Sequence, residues 1–304
     1  MPLAVYYRPE QNATAASLSP SAGKPAQVVA DWLARGRDIT ILPPEPVTPE
    51  DLMLAHAPDY VRGVLAGQLP TGFGDVDVKL ARSTLYTVGS LLTAARAVCG
   101  SGRIACSPTS GFHHAGWDSG GGYCTFNGLV VTAFKLIEEG RARNVAILDL
   151  DTHYGNGTDD ILRRLERHDI VHFTAGRSWS RPDQSADFLR ELPNILRSVC
   201  TEASGRVDLL LYQAGADAHI DDPLGGWLTT AQMRQRDALV FEAALGYGIP
   251  VVWNLAGGYQ RDADGGIGPV LAIHRATLDE AIRVDAWAAA ADAAEDSASG
   301  PAAS

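Results

Sequence analysis

Short apolar runs recur along this chain at 103–106, 145–149, 170–174, 208–213 and 250–255. Between them lie stretches of helical apolar spacing at about 127–139, 158–167, 186–202 and 230–247, with another at about 269–282. Strands that alternate with helices pair in parallel, because each helix carries the chain back before the next strand begins. The expected fold class is therefore α/β: a single three-layer α/β/α domain with a mainly parallel central sheet. Upstream, Leu3 to Tyr7 is a short apolar piece and Ile39 to Leu42 reads as a short strand. Pro25 opens a helical segment ending near Gly36, and Thr48-Pro49-Glu50-Asp51 has the cap, first-turn proline and acids of a helix start. Leu80 to Val98 has the spacing of a long helix. At 304 residues, with no repeat or compositional break, the chain is expected to form one domain over residues 1–285. Residues 286–304, rich in Ala, Asp and Ser, are expected to be a disordered tail.

Charge narrows the partners. A formal net charge of -11 without any Lys/Arg cluster argues against nucleic-acid binding. Cys99, Cys106, Cys124 and Cys200 are scattered, with no CxxC pair. No signal peptide and no apolar run long enough to span a membrane is seen, so no membrane association and a reducing, cytoplasmic compartment are expected.

In open parallel sheets, ligands bind just beyond the carboxyl ends of the strands. Four polar clusters occupy such positions here. The apolar run Val145–Leu148 leads into LDLDTHYGNG, which presents Asp149, Asp151 and His153 at every second position and thus on one face of an extended chain. A carboxylate and an imidazole on a strand end suit a divalent cation such as zinc, although an isolated Asp-x-Asp-x-His is more often a capped turn. Asp217, in the Gly215-Ala216-Asp217 cluster, completes a set of three ligands or else caps the next segment. The pair His113-His114 suits acid/base work near neutral pH, or structural hydrogen bonding in a buried loop. Tyr259, after Gly257-Gly258, is aimed at a cleft or stacked in the core. Gly120-Gly121-Gly122-Tyr123 lacks a phosphate-binding pattern and reads as one wall of a narrow slot or a plain loop. His56, His168, His172, His219 and His274 lack comparable company and read mostly as surface or packing residues.

These residues resemble the histone deacetylase family, in the broad sense that takes in bacterial class II-like deacetylases and acetylpolyamine amidohydrolases, with an arginase/deacetylase-like fold. The resemblance is carried by GFHHAGWDSGGGYCTFN, LDLDTHYGNG, QAGADAHIDDPLGGWLTT and NLAGGYQ, in the family's order, over roughly residues 48 to 285. It implies a zinc-dependent catalytic domain in which Asp151, His153 and Asp217 hold one Zn2+, with Fe2+ as an alternative. It further implies His114 as general base, His113 as its electrostatic or acid partner, Asp149 orienting His113 and Asn156 orienting His114. Tyr259 would steady the oxyanion, Gly122 and Tyr123 would line an acyl-lysine channel, and Asp75 would grip substrate backbone at the rim. A structural K+ or Na+ near the carbonyls of Asp149, Asp151 and His153 also follows from the resemblance.

The sequence departs from the family at several points. Tyr154 stands where most members have a second His. Arg177 to Pro182 replaces a Phe-Pro channel wall with a basic stretch expected to repel a free polyamine. Gly155 and His219 occupy places where two-metal arginases carry Asp, which favours a single metal. Three functions remain: removal of acyl groups from lysine in proteins or peptides, hydrolysis of small acylated amines such as acetylpolyamines, or non-catalytic metal or acyl binding. The absence of a long insertion between Asp59 and Leu80 favours an open mouth and the first of these. Homo-oligomerisation stays open.

Overall fold

The computed structural model describes residues 2–298, except 16, 18, 101, 102 and 202–206. Its described strands, β1 (Leu3–Tyr6), β2 (Ile39–Leu42), β3 (Ile104–Ser107), β4 (Val145–Asp149), β5 (Ile170–Thr174), β6 (Leu209–Gln213) and β7 (Val251–Asn254), form one sheet. The order is β2-β1-β3-β7-β6-β4-β5 and the pairs are parallel. The three-layer α/β/α domain expected from the sequence is therefore what forms. Strand period assigns the core: Val145 and Ile147 of β4 face one layer, while Ala146 and Leu148 face the other. Beneath the first face lie α2 (Pro49–Leu52), α3 (Pro58–Leu65), α4 (Val78–Gly100), α5 (Gly128–Glu138) and α6 (Asn156–Arg164). On the second face, α1 (Lys24–Ala34) packs with α7 (Ser185–Thr201), α8 (Thr230–Gly246) and α9 (Gly268–Ala298).

Local chemistry sets the helix starts. Thr48 accepts from the Asp51 N–H at 3.2 Å while Asp51 accepts from the Thr48 N–H at 2.9 Å. That capping box yields only the single turn of α2, and the chain restarts as α3 with Pro58 at its first position, a helix the sequence did not announce. The same reciprocal pair, Thr229 with Gln232, opens α8.

The C-terminal reading needs correction. Instead of stopping near residue 282 and giving way to a disordered tail at 286, α9 continues to Ala298. Alanine is the strongest helix former, so an Ala-rich stretch prolongs a helix even where large apolar groups run out. Residues 299–304 of the expected tail lie outside the described residues. Among the described residues, no helix is long and apolar enough to cross a membrane.

Candidate metal centre and active site

The polar clusters meet because the strands that carry them, β3, β7, β6 and β4, are consecutive neighbours in the sheet. Beyond β4 and β6 the chain delivers Asp151, His153 and Asp217, whose ligand atoms lie within 4.8 Å of one another. His153 Nδ1 is 3.0 Å from Asp151 Oδ1 and 3.1 Å from Asp217 Oδ2. Its Nε2–H donates to the Leu224 carbonyl at 3.2 Å, which orients the ring with Nδ1 toward the carboxylates.

The electrostatics describe a site built for positive charge. Hydrogen bonds to Asp151 and Asp217 push His153 up to about 11. Burial and the charge of Asp151 raise Asp217 to about 7. Burial also opposes charge on Asp151, but His113 and His153 outweigh it and hold that carboxylate below its usual range. The rise at His153 shows how strongly the two buried carboxylates favour positive charge between them. A divalent cation fits the same place, leaving Nδ1 as its ligand. With bonds of about 2.0–2.2 Å, tetrahedral ligand atoms stand roughly 3.3–3.6 Å apart, close to the spacing found. Close glycines allow this convergence. A Cβ on Gly257 would sit 1.9 Å from Asp217 Oδ2, and one on Gly215 would sit 2.6 Å from Asp217 Oδ1.

The paired histidines are held differently. Gly111 (φ 91°) and Phe112 (φ 95°) turn the chain after β3, and the N-terminal N–H groups of Gly157 and Thr158 in α6 hold the His113 carbonyl at 2.9 and 3.1 Å. His113 Nδ1 donates to Asp149 Oδ2 at 2.7 Å, and Gln213 Nε2 donates to Asp149 Oδ1 at 3.2 Å. Burial alone would lower His113, yet Asp149 and Asp151 lift it to about 9. His114 Nδ1 donates to the neutral amide oxygen of Asn156 at 2.6 Å. Burial and the neighbouring His113, with ring centroids 4.0 Å apart, lower His114 instead. The surroundings thus favour the charged form of His113 and the neutral form of His114, whose Nε2 is then free to accept a proton. This division separates an acid from a base within one pair.

Tyr259 follows Ala256 (φ 53°) and Gly258 (φ 139°), and its N–H donates to Asp222 at 2.8 Å. Burial, then the carboxylates of Asp217 and Asp151, keep its phenol protonated well past the ordinary tyrosine range. Its ring lies 5.8 Å from that of Tyr123, which lies 5.5 Å from Phe73. A Cβ on Gly122 would come 2.4 Å from His114 Cδ2, so a glycine lets the backbone of this wall lie against the imidazole. Asp75 does not reach the ligands: its carboxylate accepts from the Thr71 hydroxyl at 2.9 Å, shaping a loop whose Gly72 carbonyl accepts from Tyr123 N–H at 3.0 Å.

Arg177, in the stretch expected to repel a free polyamine, is paired within the protein. It donates to Asp159 and, at 2.7 Å, to the Tyr154 hydroxyl, and lies over the Tyr154 ring. Trp179 packs against Phe188 and Trp227 rather than forming a channel wall. The remaining histidines are mostly packing residues, as read. His56, buried and lowered to about 4, donates from Nδ1 to Gly116 and accepts at Nε2 from Asn127 N–H, pinning both ends of the 116–127 loop.

Sequence reading missed Lys24. It is fully buried, and its ammonium donates to the carbonyls of Ala256 and Gly257 at 2.6 and 3.0 Å. Burial lowers it to about 8 against the pull of Asp217, Asp151 and Asp222. No local pattern marks a lysine whose partners lie 232 residues away.

The histone deacetylase domain model matches residues 23–175 and 169–267. An uncharacterized protein of Picosynechococcus sp. is 29% identical over 247 residues, covering 75% of this chain and 81% of that protein. Acetylpolyamine amidohydrolase 2 of Pseudomonas aeruginosa is 34% identical over 148 residues, 46% of this chain, and the match spans 40% of the relative's length. The crystal structure of an acetylpolyamine aminohydrolase from Burkholderia pseudomallei superposes with a TM-score of 0.72 at 20% identity, over 92% of this chain and 98% of that one, a likeness of fold. Matched along most of its length by the family's domain, the chain belongs to the histone deacetylase family.

Proposed function

We propose that this protein is a zinc-dependent amidohydrolase that removes acetyl or other acyl groups from the side-chain amine of lysine in proteins or peptides. The observation that carries the reading is the convergence of Asp151, His153 and Asp217 beside His113, bonded to Asp149, and His114, bonded to Asn156. Asp151, His153 and Asp217 would hold a zinc ion, which when bound would supply Lewis-acid chemistry toward a carbonyl and a water. His114 Nε2 takes a proton from the attacking water, while Asn156 holds its ring by Nδ1. His113, kept charged by Asp149, steadies developing negative charge and gives its proton to the departing amine, and the proton taken up by His114 then makes good that loss so that the pair ends as it began. The Tyr259 hydroxyl donates to the carbonyl oxygen as it becomes an oxyanion. Gly122 and Tyr123 form one wall of the acyl-lysine channel, and the Asp75 loop shapes its rim.

Two features support a peptide substrate: the absence of a long insertion between Asp59 and Leu80, and the exposed apolar Leu224, whose carbonyl bonds His153. The acetylpolyamine amidohydrolases among the relatives support hydrolysis of small acylated amines as a second reading. A panel of acyl-lysine peptides and acetylated polyamines, assayed with zinc-loaded protein, separates the two. Preference for the polyamines would overturn the first.

The pH profile tests the division of labour. His114 must be neutral and is lowered below 6.5, so the acid limb of kcat/KM should fall below the ordinary histidine range. His113 must be charged, so the alkaline limb should mark the loss of the proton that Asp149 holds on its ring. Asn156→Asp sets a carboxylate against His114 Nδ1 and should move the acid limb up by about 1 unit or more. An unmoved limb would show that His114 is not the group titrating there.

A further inference from the structure

Behind the metal ligands, on the α8 side of the sheet, lies a guanidinium shut off from solvent. The Arg236 side chain is 0% exposed. Its Nε donates to Asp237 Oδ1 at 2.8 Å, and its Nη1 donates to the carbonyls of Leu150 at 3.2 Å and Gly215 at 2.9 Å. Those carbonyls belong to the segments that carry two of the ligands: Leu150 immediately precedes Asp151, and Gly215 lies shortly before Asp217. The place is significant because the sheet ends there. Asp149 opposite Gln213 is the last pair in the β4–β6 register, and Leu150 N–H to the Gln213 carbonyl at 3.1 Å continues it by one bond. Beyond that bond Arg236 joins the segments that leave β4 and β6. Asp237 is itself fixed, accepting from the Tyr212 hydroxyl on β6 and from the Thr277 hydroxyl on α9 at 2.6 Å.

Burying a charge costs several kcal/mol unless partners satisfy it. A helix position facing the core is filled at lower cost by Leu or Met. What an arginine adds is a planar fork that reaches a carboxylate and two carbonyls at fixed angles, which a lysine ammonium does not reproduce. We propose that Arg236 is a positioning residue of the metal centre: by tying the carbonyls of Leu150 and Gly215 to one guanidinium, it fixes the separation of Asp151 and Asp217 and so sets affinity for the cation. The role rests on the metal-binding reading of the site.

The test compares wild type with Arg236→Lys and Arg236→Gln, measuring zinc affinity by competition with a chromophoric chelator and melting of the metal-free proteins. Partners that orient metal ligands typically contribute about 10- to 100-fold in affinity. The Lys variant should lose zinc affinity by about that factor, and the Gln variant by more, while their metal-free melting stays cooperative and peptide KM at saturating zinc stays near that of wild type. Folded variants that bind zinc as tightly as wild type would overturn the role while leaving the metal centre intact. Loss of the cooperative fold in both variants would also overturn it, since Arg236 would then serve the whole domain. Failure of wild type itself to bind zinc would instead remove the metal centre, and this role with it.

Discussion

Tyr259→Phe should lower kcat on an acetyl-lysine peptide by about 100- to 1000-fold, the usual cost of losing one oxyanion donor. The change removes only a hydroxyl, and the ring contact with Tyr123 and the hydrogen bond from the Tyr259 backbone to Asp222 are both retained. Bound zinc and KM should therefore stay near wild-type values. The phenol is useful because burial favours its protonated form, which has a hydrogen bond to donate. Steady-state kinetics with elemental analysis of the same preparation decide the point. Unchanged turnover removes Tyr259 from the chemistry, and loss of metal together with turnover would make its role structural.

An even larger effect is expected from a single methyl group. In Gly257→Ala the new Cβ would lie 1.9 Å from Asp217 Oδ2 and 2.8 Å from Asp151 Oδ2. Both ligands must then move, and the Gly257 N–H that donates to Asp151 at 2.9 Å moves with them. Flexible surface side chains could swing aside, but Asp151 and Asp217 are buried and held from several directions. The variant should bind zinc at least about 100-fold more weakly, beyond the usual range for a residue that only orients ligands, and be nearly inactive. Gly121→Ala is the control, since a Cβ there meets nothing within 4 Å. Isothermal titration of both variants with zinc gives the comparison, and equal affinities would contradict the close approach on which the site depends.

Much of this was legible in the sequence because strand periodicity is short and strict. Apolar runs flanked by polar residues fixed β4, β5 and β6 to within a residue, and the polar residues after them had to lie at the sheet's carboxyl edge. The resemblance then proposed roles that the hydrogen bonds from His113 to Asp149 and from His114 to Asn156 match in geometry. What could not be read were contacts made across the fold. Lys24 stands beside a helix-opening proline like any surface lysine. Arg236 and Asp237 end a polar run, Arg234 to Asp237, with nothing local to mark burial, yet the structure buries both. The pairing of Arg177 with Asp159 and Tyr154 was equally hidden, because those partners precede it by 18 and 23 residues. The helical continuation past residue 286 was missed because sparse large apolar groups were weighed above the helix propensity of alanine.

The central claim is that one cation, bound by Asp151, His153 and Asp217, is required to hydrolyse an acyl amide. Metal-stripped protein titrated with zinc against an acetyl-lysine peptide tests it most directly. Activity should rise in proportion to added zinc, level off at one equivalent per chain and fail to appear in Asp217→Ala. Activity that survives stripping, or that returns in the Asp217→Ala variant at the same equivalence, would contradict it.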